Sequence, residues 1–340
     1  MEQQFREGDF IETKHGLIFD VKGLVHPPNR VIAFIRYYPS KNGERKGKKQ
    51  SYKKIYSLSK RYEWLKKNFP EYLVYDQVFN EVLCEVPITD IKKHYTPVEE
   101  LKRIRNKENP DSLESMIMEM ASLLKSSARI SWNSIGASGS VMVSLHTLNS
   151  DIDLVVYGSE NCRRVYSAIE TLFKDPCCQL KPYSLDELKR LFDFRSKDTL
   201  VGFEDFFKTE SRKVLQGKFM GRDYFIRFVK DFGEINERYG DVYYKNCGYG
   251  KVEAVVVDDS EAIFTPCTYK VEDVKVVEGP KLQPIREIAS FRGRFCEQAR
   301  SGETVLAQGK IEKVVDRRNG NEYFRLLIGN KPSDYMILKS

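Results

Sequence analysis

Two short polar signals separated by ten residues, Gly139-Ser140 and Asp151-Ile152-Asp153, constrain the middle of this 340-residue chain more than anything else in it. The second signal opens the apolar run Leu154-Val-Val-Tyr157. Such a run builds a strand, on which alternate side chains share a face, so Asp151 and Asp153 are expected to project the same way. Two carboxylates held side by side repel unless a cation lies between them. Hard cations such as Mg²⁺ take oxygen ligands and leave their remaining positions to water or phosphate oxygens. A Gly-Ser turn leaves backbone N–H groups unobstructed and adds a hydroxyl, both suited to phosphate. The stretch therefore predicts metal-assisted chemistry on a nucleotide. The bland alternative makes the two acids the polar mouth of a buried strand, an arrangement that is costly without a counter-charge.

The rest of the chain narrows the setting. Its length allows two or three domains. With 41% apolar and 12% aromatic residues it can build substantial cores. No run approaches the ~18 apolar residues of a membrane span, and Met-Glu-Gln-Gln-Phe-Arg-Glu lacks a signal-peptide pattern. No membrane partner is expected, and the chain is read as cytoplasmic. Seven cysteines without a CxxC pair fit a reducing compartment. Cys177-Cys178 reads as ordinary loop or core, and the four histidines make no ligand spacing.

The net charge of +7 is unevenly spread. Between Tyr37 and Lys67 stand eleven Lys and Arg against Glu44 and Glu63, interleaved with Tyr52, Tyr56, Tyr62 and Trp64. Basic residues with aromatics nearby can hold a phosphate backbone and stack bases, which makes RNA or another nucleic acid a candidate partner. A solvated loop running into an amphipathic helix would give the same composition.

Along the chain, Gly16–Val21 and Arg30–Tyr38 alternate as strands about a His26-Pro-Pro-Asn turn, and Lys41–Lys49 reads as a loop. Tyr56–Asn68 has helical periodicity, and Val82–Val86 reads as a short strand. Asp111-Ser-Leu-Glu-Ser starts a helix with acids in its first turn, and Leu113, Ile117, Met120 and Leu124 follow at helical spacing. Arg129–Ile135 and Asp151–Tyr157 are expected as strands. Glu160–Phe173, Leu185–Phe194 and Phe203–Gln216 are expected as helices, with a strand at Tyr224–Val229. Beyond Asp231 the pattern returns to β, with strands at Gly250–Val257, Glu261–Tyr269, Ser290–Cys296, Thr304–Val315 and Glu322–Ile328. The Gly250 and Glu261 segments faintly echo Gly16–Val21 and Arg30–Tyr38 in order, and a small closed barrel would suit the C-terminal spacing.

The Gly-Ser turn, the ten-residue gap and Ser150-Asp-Ile-Asp-Leu-Val-Val resemble the nucleotidyltransferase superfamily related to DNA polymerase beta, over roughly residues 110 to 230. The resemblance implies an α+β fold, with a polymerase-beta-like core of mixed sheet and helices. The pattern around it adds flanking β-rich, barrel-like N- and C-terminal units, dividing the chain into 1–96, 97–232 and 233–340. It also implies that Asp151 and Asp153 bind metal, that Gly139 and Ser140 hold the triphosphate of an NTP, and that two Mg²⁺ ions serve the reaction. Chemistry of this kind is largely positioning and charge neutralisation.

Two departures stand out. Many members carry a second glycine four positions after the motif serine, where this chain has Ser144. The third carboxylate has no obvious identity: Asp223, at the head of the Tyr224–Val229 strand, is the first candidate and Glu253 the second. Arg227, inside that strand, would face phosphate or pair with an acid. The chain is thus expected to be a nucleotidyltransferase acting on an unidentified acceptor. The alternative is a catalytically degenerate nucleic-acid-binding protein that uses the basic N-terminal region and the C-terminal β unit.

Overall fold

Alternation in the first hundred residues produces one sheet of eight strands in the computed structural model, which describes residues 4–47, 49–197 and 199–339. Its strands are β1 (Phe10–Thr13), β2 (Ile18–Val21), β3 (Arg30–Pro39), β4 (Arg45–Lys46), β5 (Ser51–Lys54), β6 (Leu73–Asp76), β7 (Glu81–Pro87) and β8 (Ile91–Tyr95). The main path runs β4-β5-β3-β2-β1-β8, and β7 pairs with both β3 and β6. Helix α1 (Leu58–Asn68) buries Leu65 against one core of this sheet, with Phe19, Val21, Ile35 and Tyr72. Within the Lys41–Lys49 stretch expected as a loop, Arg45 and Lys46 form the short strand β4, paired with Tyr52 and Ser51 of β5. Lys48, part of that basic run, lies outside the described residues.

A second sheet of five strands follows in the order β11-β12-β13-β10-β9. Its members are β9 (Ile135–Ala137), β10 (Ile152–Tyr157), β11 (Leu180–Lys181), β12 (Gln216–Phe219) and β13 (Arg222–Val229). Helix α2 (Pro97–Arg105) precedes it. Helix α3 (Ser112–Ala128) starts on a capping box in which Asp111 accepts from Leu113 N and Glu114 N at 2.9 and 3.0 Å, and Glu114 accepts from Asp111 N at 2.9 Å. It ends at Arg129 in a left-handed conformation. The strand expected at Arg129–Ile135 is accordingly shorter and later. Ser131, Asn133 and Ser134 favour a turn, here a single 3₁₀ turn, and the ladder begins only at Ile135.

β10 and β13 run parallel, with Ile152 opposite Tyr224 and Val155 opposite Arg227. Ile152, Leu154 and Val156 on β10 and Tyr224, Ile226 and Phe228 on β13 are fully buried on one face, and α3 and α5 (Ser159–Leu172) pack against β10. The opposite face carries Asp153, Val155 and Tyr157, and there Val155, Tyr157 and Val229 pack with Leu24 and Val98. Phe10, Ile18, Tyr37 and Tyr52 of the first sheet share a core with Met142, Val143 and Leu145, just after the Gly-Ser turn. Most of the first two sheets falls into one compact unit, made of the chain up to Val74, Leu83–Lys181 and Val214–Asn236, while Tyr75 and Asp76 of β6 and Glu81 and Val82 of β7 are counted with the other.

The other compact unit comprises Tyr75–Val82, Pro182–Lys213 and the chain from Glu237 on. It holds α6 (Leu185–Arg195) and α7 (Phe203–Glu210) and a sheet of β14 (Val242–Asp258), β15 (Cys267–Glu278), β16 (Ile285–Ser290), β17 (Thr304–Asp316), β18 (Asn321–Leu327) and β19 (Tyr335–Leu338). Its order is β14-β15-β16-β18-β17-β19, and β14 also pairs with β17, so five strands close a hydrogen-bonded ring. Three expected elements change here. The helix from Phe203 stops at Glu210, and Gln216 already pairs with Phe225. The strand expected from Glu261 starts at Cys267, because Pro266 has no N–H to give to a ladder. The strand expected at Ser290–Cys296 ends at Ser290, and Gly293–Phe295 forms a 3₁₀ turn. In all, the described residues form an α+β protein with seven α-helices and three sheets.

Candidate active site

Strand β9 delivers the chain to the Gly-Ser turn, whose first residue is bonded both to the strand that follows and to the N-terminal segment. Ser138 N donates to Asp153 O at 2.9 Å, and Ser138 Oγ donates to Gly8 O at 2.8 Å. Gly139 has φ +68°, a left-handed conformation, and a methyl group there would overlap Asp153 Oδ2 and lie 2.8 Å from its Cγ. Glycine is therefore required twice, for the backbone and for the space. The chain then makes the short helix α4 (Gly139–Met142). Ser144, four positions after Ser140, takes a left-handed conformation at φ 54°.

The loop between turn and strand is tied down from several sides. Ser140 is buried, and its hydroxyl donates to Ser150 Oγ at 3.1 Å; that same oxygen accepts from Thr147 N at 2.9 Å. Arg45 Nη1 reaches Leu145 O and Thr147 Oγ1 at 3.2 Å and Ser150 Oγ at 3.3 Å. Arg222 Nη1 donates to Leu148 O and Ser150 O, both at 2.8 Å. The Ser140 hydroxyl, expected to bind a nucleotide, is thus engaged in holding the entry to Asp151.

Asp151 is exposed and Asp153 half-buried. Among the described residues, neither carboxylate has a hydrogen-bonded or ion-paired partner. Burial, reinforced by the charge on Asp151, pushes Asp153 up to about 7, against the pull of Arg36, Arg227 and Lys54. Of the cations nearby, Arg36 has its Nε buried without a hydrogen bond and, among the described residues, an ion-pair contact with Asp20 at 4.0 Å. Burial and then the charge on Arg36 hold Lys54 down at about 8, while Asp151 and Asp153 act to raise it.

Behind this lies a buried charge network. Lys22 Nζ contacts Glu7 at 2.8 Å and Asp20 at 3.0 Å, while Arg227 binds Glu7 and approaches Asp20 at 3.7 Å. Burial would raise Asp20, but Lys22, Arg227 and Arg36 outweigh it and leave the carboxyl at about 2. Arg227, read from sequence as a phosphate ligand or an acid's partner, takes the second role here.

The third-carboxylate candidates separate. Continuing the β10–β13 register one step aligns Asp151 with Asp223, and both line one open cleft of about 350 Å³ with Ser150 and Arg222. Asp223 is half exposed and pairs with Lys218 at 3.0 Å. Among the described residues, no three His, Cys, Asp or Glu side chains come together as a metal-holding group, so Asp223 does not close on the pair. Glu253 lies on β14 in the other unit and is engaged by Lys339. Sequence reasoning missed Glu7, Asp20, Lys22, Arg36 and Arg222 entirely. It met Arg45 and Lys54 only as members of a basic run. The one available signal was the charged residue inside otherwise apolar Arg30–Tyr38.

No family model matches the chain, and no solved structure matches it. It is 34% identical over 330 residues, 94% of either chain, to the uncharacterized protein MJ1086 of Methanocaldococcus jannaschii. The chain belongs to the family of that archaeal protein. Among the described residues no helix is long and apolar enough to cross a membrane.

Proposed function

We propose that this protein is a nucleotidyltransferase that moves a nucleotidyl group from an NTP to an acceptor, with the β9–β13 sheet and its helices as a polymerase-beta-like core. The observation that carries the proposal is the seat of Asp153. Gly139 turns on a left-handed backbone to clear its carboxylate, and neither acid of the pair has a partner among the described residues. The donor set of two hard oxygens, one of them raised in pKa by burial and by its neighbour, suits Mg²⁺. Asp151 and Asp153 would hold it, and Asp223 would join on exchanging Lys218 for the metal. Such an ion, when bound, lowers the pKa of an attacking hydroxyl and neutralises charge on the leaving pyrophosphate. The chain's own groups do the positioning. Arg45 and Arg222 fix the loop that presents Asp151, and the Glu7–Lys22–Asp20–Arg227 network holds the face on which Asp153 stands.

The test is incubation with labelled NTPs, Mg²⁺ and pools of RNA and protein, beside Asp151→Asn/Asp153→Asn. Label transfer by the wild type alone supports the proposal; no transfer by either sinks it.

A second reading, a degenerate nucleic-acid-binding protein, draws on the ion pair that occupies Asp223 and on exposed Lys46, Lys49 and Lys53 along the β4–β5 ribbon. The closed ring of the other unit, read as a barrel, would add binding surface. This reading predicts RNA affinity that falls steeply with salt and is indifferent to both aspartates.

A further inference from the structure

Helix α1 and the edge of the N-terminal sheet bring stacked rings and lysines to one face. Tyr38 of β3 stacks on Trp64 of α1, with ring centres 4.5 Å apart and planes at 30°. Trp64 stacks in turn on Phe69 at 5.8 Å and 25°. All three rings pack against the core that holds Ile35 and Leu65, yet each stays only half-buried. The file of rings thus runs along the surface instead of closing into the core.

Lysines surround it by register and by helical spacing. Tyr38 lies opposite Lys53 on β5, and two places back along β5 Ser51 lies opposite Lys46 on β4. Lys46, Lys53 and Tyr38 therefore share one face of the sheet. On α1, Lys60 stands four positions before Trp64 and Lys67 three after it, on the same side of the helix. All four lysines are exposed. Among the described residues none of them forms an ion pair, not even Lys67 with Glu63, the one acid of the helix.

Unpaired lysines around half-buried rings match a flexible polyanion that also offers flat apolar faces. Single-stranded nucleic acid is such a polymer: its phosphates take the lysines, and its bases stack on aromatic side chains. A duplex keeps its bases stacked on each other and would meet the lysines alone. The face adjoins the candidate active site across a single strand. Arg45, the neighbour of Lys46 on β4, bonds Thr147 Oγ1 at 3.2 Å and Ser150 Oγ at 3.3 Å, directly ahead of Asp151.

We propose that Tyr38 and Trp64, with Lys46, Lys53, Lys60 and Lys67, bind single-stranded nucleic acid, and that the end of this strand is the acceptor. The binding face stands by itself; the acceptor role deepens the nucleotidyltransferase reading and rests on it. In that role the terminal hydroxyl oxygen of the strand bonds to the α-phosphorus of the NTP. The bond from that phosphorus to the bridging oxygen breaks, pyrophosphate leaves with its electron pair, and the hydroxyl proton passes to water.

The test is binding of labelled oligouridylate to the full chain, by anisotropy over a range of salt with a chelator present. Lys53→Gln/Lys60→Gln/Lys67→Gln neutralises the face. Lys174→Gln/Lys275→Gln/Lys281→Gln removes equal charge from exposed lysines elsewhere, and thermal melts check that both variants fold. The face variant should bind about tenfold or more weakly at low salt, with the slope of log affinity on log salt reduced by about 2, while the control binds as the wild type does. Stacking is read from Trp64 itself. The chain has two tryptophans, so in Trp132→Phe the remaining emission is that of Trp64, and unlabelled oligouridylate should quench it. Equal affinity in the face and control variants, unquenched Trp64 at saturation, or equally tight binding of an RNA duplex overturns the site. In the labelled-NTP assay, label on RNA that falls in the face variant supports the acceptor role, and label confined to protein overturns that role while the binding face stands. Strand binding in a protein that transfers no label overturns the acceptor role together with the nucleotidyltransferase reading.

Discussion

Gly139 and Asp153, fourteen positions apart in sequence, are fitted so closely that any side chain at 139 would collide with the Asp153 carboxylate. Gly139→Ala therefore carries two penalties. A left-handed alanine costs about 1–2 kcal/mol, and the methyl group must displace Oδ2. The expected outcome is a loss of about 2 kcal/mol or more in denaturant unfolding, together with loss of Mg²⁺-induced stabilisation. Adding Asp153→Ala should return the steric part but not the conformational part. Additive losses in that double-mutant cycle would show that the two residues do not meet.

Asp153 is raised to about 7 by burial and by Asp151. A carboxyl whose folded pKa exceeds its unfolded one binds more protons in the native state, so its contribution to stability falls as pH rises from about 4 to about 7. Asp153→Asn should remove that fall. At pH 8 without metal the variant is expected to be more stable than wild type, on the order of 2 kcal/mol after discounting for solvent screening. Added Mg²⁺ should stabilise the wild type and not the variant. An Asp153→Asn protein less stable than wild type at pH 8 would contradict this.

What the sequence made legible were the parts governed by local rules. The Asp111 capping box, the Gly139 turn and the strand under Asp153 follow from residue type and spacing over a few positions. The direction of Arg36 towards Asp20 was not legible, because a bulge at Arg36 breaks the alternation by which a strand's faces are read. Nor was the merging of the first two sheets into one unit, which depends on Tyr37 and Tyr52 meeting Met142 and Leu145 across nearly a hundred residues. Pairing at such sequence distance leaves no local mark.

Arg227 is the counter-charge for two buried acids, Glu7 and Asp20. Arg227→Met would keep much of the side-chain volume and leave the carboxylates with Lys22 and, for Asp20, the more distant Arg36 at 4.0 Å. Removing one partner of a buried charge network typically costs about 3–5 kcal/mol. A loss of that size in chemical denaturation is expected; a variant within about 0.5 kcal/mol of wild type would show that Arg227 is not the counter-charge of the two acids.

Ser144 holds a left-handed φ of 54°, closing the turn with its N–H on Val141 O at 2.9 Å. Serine strains to adopt this conformation and glycine does not. Ser144→Gly should relieve the strain and leave the unfolded chain with more entropy, a net stabilisation of at most about 1 kcal/mol. Ser144→Val should destabilise by more than that. Thermal melts of both variants give the sign.

His26 offers the cleanest pH dependence in this unit. Its Nδ1 accepts from Ile32 N at 3.2 Å, which places the proton on Nε2, where it donates to Phe5 O at 3.2 Å. Protonating the ring would cost the Nδ1 acceptor and bury a charge. Burial accordingly holds its pKa down at about 4, against the weaker opposing effect of the Phe5 carbonyl. In the unfolded chain the ring titrates near 6.5, so between 6.5 and 4 the unfolded state binds more protons. Stability from this group is complete above about 6.5 and is lost as pH falls towards 4, by up to about 3 kcal/mol. In this window Asp153 works in the opposite sense, so the comparison belongs in an Asp153→Asn background. There, His26→Gln should be less stable than its parent at pH 7, and the difference should shrink as pH falls to 4. Parallel stability–pH curves for the two proteins would mean that His26 is not the titrating group.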